Sequence, residues 1–172
     1  MLRRIVIASL MTASLASACG NDPVALLNKE VYGGFLVITP SRTSYDWNET
    51  TTNGTGIVAT VKNSSTTTFY AKLGDAFNSA LDQPNIIAAE GSSGFIERTG
   101  DGSNWSQVKR AVLVEGVHFI AIRPNQTYTL RAFSSGTKVT GTYRLRIDYQ
   151  DALDVAGPTR MYRDKSPTFT VR

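Results

Sequence analysis

The sequence predicts an all-β fold, an antiparallel β-sandwich of about seven to nine strands. Three observations carry that expectation. Tyr143, Leu145, Ile147 and Tyr149 alternate with Thr142, Arg144, Arg146 and Asp148, the period of two that gives a strand one buried and one wet face. Clusters of Gly, Asn, Ser and Pro separate short apolar runs at a spacing of about 8 to 12 residues. No stretch carries the 3.6-residue apolar period of a long helix.

The first of the 172 residues stand apart from this pattern. Met1–Arg4 holds two arginines. Ile5–Leu15 is apolar apart from Ser9, Thr12 and Ser14, and Ala16-Ser17-Ala18 follows. That is a secretory signal over residues 1–18, and its apolar run is short of the roughly 20 residues a membrane span needs. Half of the +4 formal charge belongs to Arg3 and Arg4 in that leader, and no dense Lys/Arg run follows, so no nucleic-acid partner is expected. Gly20–Glu30 is a tether, with Asp22 and Pro23 suited to start one helical turn. The sandwich domain is expected over 31–172.

Val31–Thr39 is the first strand, and Gly33-Gly34 inside it implies a bulge or a switch between sheets. Pro40–Thr55 is a Ser/Thr/Asn-rich loop with a short strand at Thr43–Trp47. Gly56–Asn63 is a strand with Ile57, Ala59 and Val61 on one face. Ser64–Thr67 turns, and Thr68–Leu73 returns with Phe69, Ala71 and Leu73, a hairpin-like reversal. Ile86–Ala89 and Phe95–Arg98 read as short edge strands, and Gly100–Asn104 as a turn cluster. Trp105–Glu115 is a longer stretch with Ala111–Val114 as its apolar part; Gly116 breaks it and Val117–Ile122 resumes. Ile122–Tyr149 then reads as two neighbouring strands joined by a Gly-containing hairpin. Asp151–Ser166 is polar, and Phe169 and Val171 mark the last strand.

Two resemblances add to this reading. Ala16-Ser17-Ala18-Cys19 resembles a bacterial lipobox, with Leu15 one position further back than usual. The resemblance implies that Cys19, the sole cysteine, receives a diacylglyceryl thioether, becomes the N-terminus and is acylated again. Two or more acyl chains anchor stably, which places the protein on a cell membrane or outer membrane with its domain facing the periplasm or exterior. Ile122-Arg-Pro124-Asn-Gln-Thr-Tyr128 resembles the corner of immunoglobulin-like and fibronectin type III modules. There the tyrosine hydroxyl bonds back to upstream backbone, which implies that Tyr128 pins the corner and Pro124 sets its turn. Gly56–Tyr149 as a whole looks like the immunoglobulin-like sandwich modules of bacterial lipoproteins, and more faintly like a small bacterial proteinase-inhibitor domain.

Candidate chemistry is sparse. His118 is the single histidine and sits in a strand without triad partners. One His and one lipidated Cys cannot make a zinc site. Asp148, Asp151 and Asp154 supply oxygen ligands at a spacing foreign to EF-hand loops. Asp46 and Glu49 flank Trp47 in a polar loop with nothing to raise either pKa for glycoside hydrolysis. Trp47 and Trp105 make a sugar platform only if exposed together. Arg131, Arg144 and Arg146 read as solvent-face residues of adjacent strands, a small basic stripe that also discourages edge pairing. No cofactor, metal or catalytic residue is assigned. The expectation is a lipid-anchored, non-enzymatic binding or structural module. Its partners would be the membrane and an envelope or extracellular protein or glycan, met by the Pro40–Thr55 and Gly91–Trp105 loops. A proteinase-inhibitor-like sandwich is the alternative.

Overall fold

The computed structural model describes residues 31–75, 85–88, 90–110, 117–153 and 160–172. The leader, Cys19, the tether, Ala111–Val114 and Asp154 lie outside them. In chain order the strands are β1 (Val31–Tyr32), β2 (Leu36–Pro40), β3 (Ser44–Tyr45), β4 (Ile57–Asn63), β5 (Phe69–Asp75) and β6 (Asn85–Ala88). They continue with β7 (Gly94–Thr99), β8 (Trp105–Gln107), β9 (Val117–Ile122), β10 (Thr127–Ala132), β11 (Gly141–Gln150), β12 (Met161–Lys165) and β13 (Phe169–Val171). One helical turn, α1 (Trp47–Thr50), joins them. The fold is all-β.

Strand β11 is the spine. Tyr143, Leu145, Ile147 and Tyr149 are each at most 1% exposed, burial that stabilises by about 1.5–3 kcal/mol per side chain. One edge of β11 pairs with β7, Thr142–Ile147 against Thr99–Gly94. The other edge is shared by β13 and β12. In the second half of the sheet, β4 buries Ile57, Ala59 and Val61 and lies between β2 and β10.

The strands form one sheet, ordered β1-β12-β11-β5-β6-β10-β4-β2 along its main path. Its two marginal strands, β1 and β2, are consecutive in the chain. The sheet is open but curled, and Gly33–Phe35 carries the backbone from one margin to the other. Glycine is needed at this crossing. A Cβ on Gly33 would meet the Tyr149 hydroxyl at 2.3 Å, and Gly34 has φ +63°, left-handed backbone that other residues disfavour. Across the seam the Asp164 carboxylate, on β12, accepts the N–H groups of Gly34 (2.7 Å) and Leu36 (2.8 Å). Phe35 caps it by stacking on Phe69, ring centroids 5.3 Å apart.

Several expectations need correction. Pairing is not antiparallel throughout: β1–β12, β6–β10 and β3–β13 are parallel. There are thirteen strands among the described residues, not seven to nine: Val31–Thr39 divides into β1 and β2, and β12 lies within Asp151–Ser166, where polar residues alternate with buried Tyr162 and hide it. Neither supposed hairpin forms. β4 and β5 do not pair, and nor do β10 and β11. Alternation marks which face of a strand is buried, not which strand lies beside it. The segment after β10 is held away from a tight turn, because Ser134 is buried and bonds Thr50 through both backbone and hydroxyl. β6 and β7 are interior strands, lying between β5 and β10 and between β11 and β8. Of the stretch Trp105–Glu115, the described residues 105–110 hold one three-residue strand, β8. The Pro40–Thr55 loop contains α1, whose Asp46-x-x-Glu49 spacing is a capping signal: the Glu49 carboxylate accepts the Asp46 N–H at 3.1 Å.

Candidate functional site

The most tightly organised surface feature is the end of the β7–β8 hairpin. Asp residues favour turns because the short carboxylate reaches nearby backbone donors. Here Asp101 Oδ1 accepts from Thr99 Oγ1 (3.0 Å), Ser103 N (2.9 Å) and Asn104 N (2.8 Å), and Oδ2 accepts from Asn104 Nδ2 (2.7 Å). The backbone N–H groups of Asn104 and then Ser103 hold this carboxyl far below its ordinary pKa. An exposed loop is thereby pinned by one ionised side chain.

The strand that leaves the loop brings Trp105 opposite Thr99. The Arg144 guanidinium lies 3.8 Å over the Trp105 ring, a contact worth about 0.5–2 kcal/mol depending on desolvation. Arg144 is held in turn by Glu97, Nε to Oε2 at 2.7 Å, and the other Glu97 oxygen pairs with Arg146 at 2.6 Å. Arg146 Nε lies 3.0 Å from Asp148 Oδ1, although without the alignment of a hydrogen bond. Asp148 continues the row to Arg163 at 2.9 Å. Phe95 is flanked by Arg146 (4.1 Å) and Arg110 (4.6 Å). Arg110 donates to the carbonyl and hydroxyl of Ser92 and to the Gly94 carbonyl; burial pulls its pKa below the ordinary arginine value, with Glu90 opposing. The row fixes Trp105 from behind. At the end of the hairpin, Arg98, Gly100, Asp101, Asn104, Trp105 and Ser106 line an open depression of about 350 Å³.

A second polar construction lies at the β9–β10 corner. The Tyr128 hydroxyl donates to the Ala121 carbonyl at 2.8 Å and accepts the Arg123 N–H at 3.1 Å. Asn125, just after Pro124, takes φ 59°, a conformation asparagine tolerates better than most residues. The corner is tied to the β4–β5 connection by Asn63, which is fully buried. Asn63 Nδ2 donates to Thr67 O (2.7 Å) and Ile122 O (2.8 Å), and its Oδ1 accepts from Ser65 N (2.9 Å). Every polar atom of that amide is used, as burial requires.

The other candidates disperse. His118 is exposed on β9, opposite Leu73. Asp148 belongs to the ion-pair row, and Asp151 accepts from Arg160 N and the Tyr162 hydroxyl. No three metal-binding groups converge among the described residues. Glu49 is lowered in pKa by the Asp46 N–H and then by Arg42, the opposite of what a proton donor needs. Trp47 is buried at 6% exposure, so it makes no platform with Trp105. The expected arginine stripe does not exist. Arg131 lies on β10, which does not neighbour β11, and donates to Thr55 O, while Arg144 and Arg146 are mostly covered and ion-paired. The organising acids Glu97 and Asp101 were not singled out from the sequence. The legible signal was an Asp three residues before Asn104 in a Gly-rich turn. The chain matches no protein-family profile, no curated protein and no solved structure.

Proposed function

We propose that this chain is a lipid-anchored cell-envelope protein, held to a membrane by acylated Cys19, whose immunoglobulin-like sandwich is a non-catalytic binding or structural module. The observation that carries the binding role is the Gly100–Asn104 loop, set in one conformation by Asp101 and bordering an open depression. A surface ordered in advance binds without a further cost of ordering, and loops on a rigid scaffold are where recognition concentrates. The acidic groups support the same reading by their employment: Glu49 caps a helix, Glu97 and Asp148 hold arginines, and Asp164 closes the seam. The Tyr128 bonds to Ala121 and Arg123 support the immunoglobulin-like reading of the corner.

Mass spectrometry of the membrane-extracted N-terminus tests the anchor. The expected species begins at an acylated Cys19, and Cys19→Ser moves the protein to the soluble fraction. An unmodified cysteine, or unchanged partitioning of the variant, defeats it. The same rigid loop suits the alternative, insertion into a protease cleft. Residual activity of a panel of serine, cysteine and metalloproteases decides that: no inhibition at micromolar protein removes it.

A further inference from the structure

We infer that the outer face of β9 and β5, continued onto β11 and β12, lies against the phospholipid bilayer that holds the anchor. This rests on the lipid-anchor reading above and adds which side of the domain the membrane meets. The register settles which side chains share that face. Phe69, Ala71 and Leu73 of β5 are buried in the core, so Tyr70 and Lys72 point out. Across the β5–β9 ladder Tyr70 stands opposite Ala121, and Lys72 opposite Phe119; residues directly opposite share a face. Tyr149 and Tyr162 are buried, so their neighbours Gln150 and Met161, which pair with each other, also face out. Gln150 pairs in turn with Tyr70. Ala121, Tyr70, Gln150 and Met161 thus make one row across four adjacent strands, about 14 Å wide, with Phe119 and Lys72 in the next row.

The outward row of a solvated strand is ordinarily polar, as Thr60 and Lys62 are on β4. Here it is not. Phe119 is 47% exposed, and Val117, Tyr70, Ala121 and Met161 are half-buried. Strand β9 carries no Asp, Glu, Lys or Arg. Exposed cations stand at the border: Lys72 beside Phe119, Arg123 just past β9 and Arg160 just before β12. The nearby acids are occupied, Asp148 by Arg163 and Asp151 by the Arg160 N–H and the Tyr162 hydroxyl. An apolar patch rimmed by long basic side chains suits the boundary between acyl chains and phosphate headgroups. The chain itself brings this face to the membrane. β1 runs parallel to β12 with Val31 beside Tyr162, so the polypeptide leading from Cys19 arrives next to Met161. From Cys19 to Val31 it can span at most about 40 Å. A tether that short makes contact with the bilayer intramolecular, at an effective concentration on the order of millimolar. A patch too small to recruit a free protein is then enough to orient an anchored one.

The test uses the full-length acylated protein in vesicles of phosphatidylethanolamine and phosphatidylglycerol, with and without lipid brominated on its acyl chains. Two reporters are compared, Phe119→Trp and Val139→Trp. Val139 is also exposed, and its carbonyl accepts the Tyr143 hydroxyl at the opposite end of β11. The wild-type signal of Trp47 and Trp105 is subtracted, and unchanged thermal midpoints confirm that both variants fold. Brominated lipid is expected to quench Phe119→Trp about twofold or more, as for a ring set roughly 5–10 Å into the headgroup–acyl boundary, and to leave Val139→Trp unquenched. Adding Lys72→Glu and Arg123→Glu should reverse that quenching, while flotation with the vesicles persists through the acyl chains. Equal quenching of the two reporters overturns the proposal and leaves the anchor standing. So does a Phe119→Trp signal that responds to protein density and not to bromine, which would put a second copy of the chain on this face. If Cys19 is unmodified and the wild type does not float, the anchor reading fails and the proposal falls with it.

Discussion

The Tyr149 hydroxyl donates to the Asp164 carboxylate at 2.5 Å, a bond between neighbouring strands β11 and β12 that is wholly internal. The same carboxylate accepts two backbone N–H groups from the crossing between β1 and β2. One side chain therefore secures three segments, with both of its oxygens in use.

Replacing Asp164 by Asn puts a donor where an acceptor is needed and leaves a backbone N–H or the tyrosine hydroxyl unmet. Hydrogen bonds to charged groups contribute about 1.5–3 kcal/mol, and a loss of that size is expected in urea unfolding. The Gly34 and Leu36 amides should also exchange faster in the variant. Wild-type protection at both amides would show that the carboxylate does not close the seam.

Alkaline pH should weaken the fold. Burial, and then Asp164 as hydrogen-bond partner and neighbouring charge, raises the Tyr149 hydroxyl above the ordinary tyrosine pKa. Tyr143 and Tyr162 are raised too, by burial first. Above a pH of about 10 the folded state keeps protons that the unfolded chain releases, so stability falls as pH rises past that point and is untouched by these groups below it. Unfolding free energies measured from about pH 8 to pH 12 should show that decline, and Tyr149→Phe should make it shallower. A profile that stays level across the range contradicts the assignment.

Glu97→Ala should be among the most damaging surface-strand substitutions. It strips the largely covered Arg144 of its counter-ion and Arg146 of one of two, Asp148 remaining, and breaking a buried pair from one side costs about 3–5 kcal/mol. Arg42→Ala, at an exposed pair with Glu49, should cost under about 1 kcal/mol. Comparable midpoints for the two variants in denaturant would refute the ranking.

At the corner, Tyr128→Phe should cost about 1–2 kcal/mol through the Ala121 and Arg123 groups it leaves unpaired. Asn63→Ala should cost more, because two carbonyls and a backbone N–H lose their partner in a site closed to water. Double-mutant analysis checks whether the corners act together: a coupling above roughly 0.5 kcal/mol is expected between side chains in one network, and strict additivity would separate them.

How much of this was legible in the sequence depends on which face of a strand is asked about. The inward rows of β4, β5 and β11 follow from alternation, since Ile57, Ala59, Val61, Phe69, Ala71, Leu73 and Tyr143–Tyr149 are where period two puts them. Neighbours are another matter. Whether β10 lies against β11 or β4 is settled by distant groups such as the Thr50–Ser134 contact, which leave no local pattern. Buried acids mislead in the same way. Glu97 alternates with Ile96 and reads as wet, yet Arg144 and Arg146 close over it. Asp164 is different, for Tyr162, Asp164 and Ser166 share one buried face, and an acid in an inward row was itself a signal. Gly33-Gly34 reads as a bulge or a switch between sheets, whereas it is the crossing between the two margins of one sheet.

The route of the backbone through Gly33 and Gly34 has a temporal consequence. The groups that fasten this segment belong to Asp164, 130 residues later, and β13 at the very end of the chain pairs with β3 near its beginning. On a polypeptide emerging from the ribosome, β1 and β3 have no partner until the last dozen residues appear. Such long loops are slow to close, so folding of this protein should be post-synthetic and slow, with no stable half-formed domain on the growing chain.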